Sequence, residues 1–175
     1  MYKYNISKYN PIFRDSNWTY RKEDWTAISD IGKSFDNKIL TVTDYIETEN
    51  KYIKTVKLIL NYLELDYIYV HDVRRSFSKE VFADMIKKRE TLYSPEMINM
   101  YDKAERIKKL ERKDVDAFIK LLLREDIGAK VFYPRRLRIF ICYDFLMGVN
   151  CSRSLENIIP EIEALGLYTD IFEND

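Results

Sequence analysis

Glycine and proline are scarce in this chain, four of each among 175 residues. Few residues are thus available to break an element, which leaves little room for long irregular loops, and a hydrophobic share of 46% argues against disorder. Cysteine occurs twice, at Cys142 and Cys151, without the spacing of a redox or zinc pair, so the expected compartment is a reducing one, the cytoplasm. Histidine occurs once, and any triad, metal cluster or proton relay would have to be built around His71 alone. Glycine-rich phosphate loops, HExxH and GxSxG are missing, and no apolar run approaches the roughly 20 residues of a membrane-spanning helix. The N-terminus lacks the apolar core of a secretory signal. From these absences we expect no enzyme, no cofactor, no metal and no membrane role. Net charge is missing too: 29 basic and 29 acidic side chains cancel, so no global positive field draws the chain onto nucleic acid.

What is present is patterning suited to one α+β domain over residues 1–175, a length that buries roughly 70% of its unfolded surface without metal or disulfide. Residues 1–40 carry Trp18, Tyr20 and Trp25 between turn signals. They read as an irregular aromatic arm packed back on the body, with one short helix over 25–33 ended by Gly32. Thr41 with Asp44 three residues on reads as a capping box, and Val42, Tyr45, Ile46, Ile53, Val56 and Leu60 continue at helical spacing to about Leu63. The β-branched and aromatic run 67–71 predicts a strand. Helices are predicted from Ser78, from Ser94-Pro95 toward Leu110, and over 114–125 with Gly128 as stop. A hairpin over 130–143, a strand over 145–150 and a last helix capped by Ser152 or Ser154 complete an antiparallel sheet packed against several helices. Gly166 ends that last helix, and Pro160 should bend it or shift its start.

Each candidate for chemistry has a plainer competing reading. His71 and Asp72 are neighbours on a strand and should point to opposite faces, which argues against a working pair. Cys142 reads as a small buried hydrophobe and Cys151, beside two serines, as exposed. A zinc site would need His71, Cys142 and Cys151 to converge at a spacing that is not a ligand pattern. Asp114 with Asp116, and Asp24 with Asp30, read as solvated faces, not paired catalytic carboxylates. Charge is uneven along the chain: residues 101–139 hold twelve Lys or Arg against seven acids, and residues 152–175 hold six acids against Arg153 alone. Arg135-Arg136-Leu137-Arg138, flanked by Phe132 and Tyr133, could meet phosphate and stack on a base. The commoner use of such charge is to keep an edge strand from pairing.

The segment Tyr9-Asn10-Pro11-Ile12-Phe13-Arg14-Asp15, followed by Lys22-Glu23-Asp24-Trp25-Thr26-Ala27-Ile28-Ser29-Asp30-Ile31-Gly32-Lys33, resembles small bacterial immunity proteins encoded beside polymorphic toxins, those of contact-dependent growth inhibition included. The likeness extends more loosely to the helix over 41–63 and to Ile139-Phe140-Ile141-Cys142-Tyr143-Asp144, about half of the chain in all. It implies a cytoplasmic, non-catalytic protein that binds one cognate toxin C-terminal domain, a nuclease such as a tRNase among the candidates, and occludes its active or substrate-binding surface. On that reading the acidic end, Glu156, Glu161, Glu163, Asp170 and Glu173, would meet a basic cleft and speed association, and Trp18 would anchor the interface. Trp25 is weighed as anchor or core. The alternative is a nucleic-acid-binding or regulatory protein working through Arg135 to Arg138. Nucleic acid is the less expected partner, and a homodimer is left open.

Overall fold

Alternation of apolar and polar residues builds the sheet. In the computed structural model, which describes residues 1–172, the strands are β1 (Tyr2–Ser7), β2 (Ser34–Phe35), β3 (Lys38–Ile39), β4 (Tyr67–Arg75), β5 (Lys109–Glu111), β6 (Ile127–Tyr133), β7 (Leu137–Ile141), β8 (Leu146–Cys151) and β9 (Tyr168–Phe172). The helices are α1 (Val42–Tyr62), α2 (Lys79–Lys87), α3 (Pro95–Lys103), α4 (Val115–Leu123) and α5 (Ile159–Ala164). Seven strands form one antiparallel sheet in the order β5-β4-β6-β7-β8-β1-β9, and β2 and β3 make a separate small hairpin. The architecture is the α+β one that the pattern predicts.

Register places Tyr4, Val149, Ile139, Val131 and Val70 side by side across five strands. All are buried, and they join the buried residues of α1, α3 and α4 in one core. Successive residues on a strand face opposite ways, so the residues between them form the other face of the sheet. There Phe140 is 42% exposed, and Lys3, Lys130 and Arg138 are exposed as well. One face is core and the other is open.

Helix α1 starts as its residues require. The Thr41 hydroxyl accepts the Asp44 N–H at 3.1 Å, and the Asp44 carboxylate accepts the Thr41 N–H at 3.2 Å. Tyr45, Tyr52, Ile53, Val56, Ile59 and Leu60 then bury one side of the helix. Below them lies an ion pair with almost no exposure, in which Arg124 donates to Glu49 at 2.5 and 2.6 Å and to the Leu92 carbonyl at 2.5 Å. Burial works against the Arg124 charge, and Glu49 outweighs it, so the guanidinium is held more firmly protonated than usual.

Five expectations are corrected. Residues 2–7 are no irregular arm: β1 lies inside the sheet, between β8 and β9, because Tyr4 and Ile6 alternate with Lys3 and Asn5. The short helix over 25–33 shrinks to one 3-10 turn, Ile28–Asp30, since the Asp30 carboxylate accepts the Thr26 and Ala27 N–H groups and Gly32 turns away at φ +91°. Helix α3 stops at Lys103 instead of running toward Leu110, which is wanted on the sheet opposite Ile68. Glu125, not Gly128, ends α4: it takes φ +61° while the Asp126 N–H bonds the Leu121 carbonyl, and Gly128 goes on to pair in β6. The last helix is capped by neither Ser152 nor Ser154: it begins only at Ile159, the shifted start that Pro160 predicts, with Pro160 in the first turn where no hydrogen bond is lost, and Gly166 ends it as expected at φ +84°.

The two cysteines exchange their expected environments. Cys142 follows the end of β7 and is exposed, whereas Cys151 faces the core opposite Leu137, where burial pushes its thiol up to about 11. The His71 and Asp72 side chains do meet, at 2.7 Å, because a bulge at Asp72 (φ +53°) breaks the strand alternation. Both are solvent-exposed, and Lys130 shares the Asp72 carboxylate at 2.6 Å, so the contact is a surface ion cluster of small energetic worth.

Candidate binding face

The open face of the sheet has two halves of different chemistry. Over β5, β4, β6 and β7 it is aromatic and basic. Tyr69 lies 5.3 Å from Tyr67 and 5.8 Å from Phe132 between ring centroids, and the Lys109 ammonium sits 3.9 Å from the Tyr67 ring centroid. Hydrogen bonding with the Tyr133 and Tyr69 hydroxyls raises the Tyr67 phenol above its ordinary range. Lys130 and Arg138 flank these rings, and Phe140 lies across Gly148 with ring atoms 3.5 Å from where a Cβ would stand.

At the other end, the face runs into a cleft of ≈ 600 Å³. Asn5, Leu146, Asp170 and Phe172 form its floor, and the segment that leaves β1 forms its wall with Tyr9, Arg14, Trp18 and Tyr20. The Asp15 carboxylate accepts the Asn17 and Thr19 N–H groups at 2.9 Å each, and the Trp18 N–H bonds the Asp15 carbonyl at 3.0 Å. This tight turn puts Trp18 at φ +63° with 72% of its surface exposed. Arg14 ties the wall to β9 through Asp170 at 2.8 Å, and its guanidinium lies 5.7 Å from the Trp18 ring centroid.

The rim opposite Trp18 is set by the turn between β7 and β8. Asp144 and Phe145 both take the left-handed conformation, at φ +60° and +57°. A bulky residue is held there only when its surroundings insist. Here the Phe145 ring is enclosed by Trp25, Tyr45 and Tyr52 with centroids 5.0 to 5.7 Å away, and the Tyr52 hydroxyl donates to its carbonyl at 2.5 Å while accepting the Lys8 N–H at 2.8 Å. The packing that strains Phe145 therefore fixes Asp144 at the mouth of the cleft. Below, the Lys8 ammonium lies 2.6 Å from Asp24 and over the rings of Trp25 and Tyr9. Burial lowers the Lys8 pKa, and Asp24 works against that shift.

The structure sorts the residues that the sequence nominates. Trp18 and Asp170 come together in the cleft, and Asp170 spends its charge on Arg14. Glu156, Glu161 and Glu163 are exposed on and just before α5 and do not line it, and Glu173 lies outside the described residues. Trp25 is core, 9% exposed. The basic cluster is divided: Arg135 occupies the hairpin turn at φ +59°, Arg136 donates to the Leu63 carbonyl, Leu137 is buried, and Arg138 alone reaches the open face. Its strand, β7, is flanked by β6 and β8, so protection of a sheet edge does not explain the charge.

Sequence reasoning missed Asp144, Glu23 and Tyr9. Tyr143-Asp144 between two strands carries a turn signal, but only the fold brings that turn to the segment 14–26. Among the described residues, no group of three or more His, Cys, Asp or Glu is placed to hold a metal, and no helix is long and apolar enough to cross a membrane. No family model, curated protein or solved structure matches the chain.

Proposed function

We propose that this is an immunity-type protein that docks through the cleft end of its open sheet face onto a cognate bacterial toxin domain and blocks it by occlusion, without catalysis. The observation that carries the reading is where the resembling residues fall. Tyr9 and Arg14 from the first segment, Glu23, Asp24 and Thr26 from the second, and Asp144 from the looser match all line one cleft. An aromatic ring presented to solvent from a tight turn suits an interface anchor, because Trp carries binding energy and this one needs little ordering.

The test is to identify whether a neighbouring gene encodes a large secreted protein with a variable C-terminal domain, and to co-express that domain with this chain. Rescue of growth is expected. Trp18→Ala should weaken binding to that domain by about tenfold or more while leaving the melting temperature unchanged. Trp25→Ala should instead lower the melting temperature, because it opens the aromatic cluster around Phe145. Growth arrest despite well-folded protein would overturn the proposal.

A second reading has its own observation. Tyr67, Tyr69, Phe132 and Phe140 share the open face with Lys109, Lys130 and Arg138, an arrangement suited to stacking bases and meeting phosphates. Saturable retention of single-stranded RNA that falls steeply with salt, and is lost in a Tyr69→Ala, Arg138→Ala variant, would favour it over toxin occlusion.

A further inference from the structure

We propose that the cleft beside Trp18 is a receptor for a basic side chain, an arginine above all, presented by the partner protein. The inference rests on the docking reading and adds the chemistry of its anchor. Three internal ion pairs use up most of the charge around the cleft: Arg14 with Asp170, Lys8 with Asp24, and Lys22 with Asp36. Glu23 and Asp144 line the cleft, are exposed, and have no ion-pair partner among the described residues. The cations are committed, and two carboxylates are left over.

A second, independent feature asks for a donor. Tyr9 lines the cleft at 8% exposure, and its hydroxyl has no hydrogen-bond partner among the described residues. A buried polar atom left unsatisfied is costly, and a bound N–H group would relieve it. Burial, and then the nearby Asp144 carboxylate, raises the Tyr9 pKa, so the phenol stays neutral and able to accept.

The occupant follows from what the cleft refuses. An anion would face two unpaired carboxylates. An apolar anchor would strip water from them and offer nothing in return. A guanidinium suits these features: its planar fork meets a carboxylate, its face stacks on the exposed indole, and a side-chain movement that uncovers the Tyr9 hydroxyl, which is closed to solvent, would let one of its N–H groups donate there. The indole already lies near one guanidinium, that of Arg14.

The experiment titrates the intact protein at low salt with blocked tri-arginine, tri-lysine and tri-glutamate peptides, following tryptophan fluorescence with Trp18→Phe as the reporter control. Tri-arginine should bind saturably and more tightly than tri-lysine, tri-glutamate should not bind, and added salt should weaken the effect. Glu23→Gln with Asp144→Asn should reduce tri-arginine affinity by about tenfold. Asparagine tolerates the left-handed backbone at position 144, so the fold is kept, and an unchanged melting temperature verifies it. Absence of saturable tri-arginine binding, equal binding of tri-glutamate, or undiminished affinity in the folded double variant would each overturn the proposal. The two readings fail separately. A double variant that still binds and neutralises the toxin at full strength removes the basic-anchor proposal and leaves immunity standing, whereas variant-sensitive peptide binding without toxin rescue does the reverse.

Discussion

Asp126 shows how far burial can move a single group. It is 1% exposed, accepts the Tyr93 hydroxyl at 2.9 Å, and sits beside Arg124, whose guanidinium is already engaged by Glu49. Desolvation raises its carboxyl from 3.8 to about 7, with the Tyr93 hydrogen bond and Arg124 pulling the other way. The folded state therefore holds a proton that the unfolded chain releases. This group's stabilising contribution is complete below the unfolded pKa near 4 and is lost as pH rises through the folded value near 7. Asp126→Asn cannot lose that proton. In urea denaturation its stability relative to the parent should rise between pH 4 and 7, by at most roughly 1.4 kcal/mol per pH unit. Parallel pH profiles for the two proteins would show that Asp126 titrates normally. The sequence shows that position 126 holds an Asp between a helix and a strand; that the site excludes water depends on Tyr93 and Glu49 arriving from elsewhere in the fold.

At the level of elements, α1 states its own start. The Thr41 and Asp44 capping box is complete, and Lys38 adds an ion pair to Asp44 at 2.8 Å; with the Thr41 hydroxyl and N–H these hold the carboxyl down at about 2. Thr41 is exposed, so no core contact compensates for its loss. Thr41→Ala should cost about 1 kcal/mol in chemical denaturation. A loss of a few tenths would mean that tertiary packing alone sets the helix end. The helices were the legible part of the sequence, because caps and a period of 3.6 are local. The short strands were not. β9 lies in a segment whose acids read as an end that meets a basic cleft, and it is a strand only because β1 offers it a free edge. The break at Lys103, where α3 yields to the edge strand β5, has the same cause in Ile68 opposite Leu110.

For the whole molecule, β1 is the element on which the sheet closes. It pairs with β8 from Tyr2 to Ser7 and supplies the sheet partner of β9. The Tyr4 hydroxyl also accepts the Leu155 N–H at 2.8 Å, tying in the chain that leads to α5. Deleting residues 1–7 should therefore strand β9, expose the core face at Tyr4 and Ile6, and abolish a single cooperative unfolding transition measured by circular dichroism. A truncated protein with the parent's midpoint and cooperativity would show that the sheet does not depend on β1. The cleft depends on the same closure, since its floor comes from β1, β8 and β9 and its walls from the turn that follows β1 and the turn before β8.

By itself the sequence determined the fold class, the major helix boundaries set by Thr41, Ser78, Ser94 and Gly166, and the hairpin over 130–143, because caps, turns and periodicity act over a few residues. Only the tertiary structure decided which strands neighbour each other, which cysteine is buried, that Arg136 is consumed by a carbonyl while Arg138 reaches the open face, and that Tyr9, Glu23 and Asp144 line one cleft. Those outcomes depend on long-range pairing and on which charges find partners inside the molecule, and neither is written in the spacing of residues along the chain.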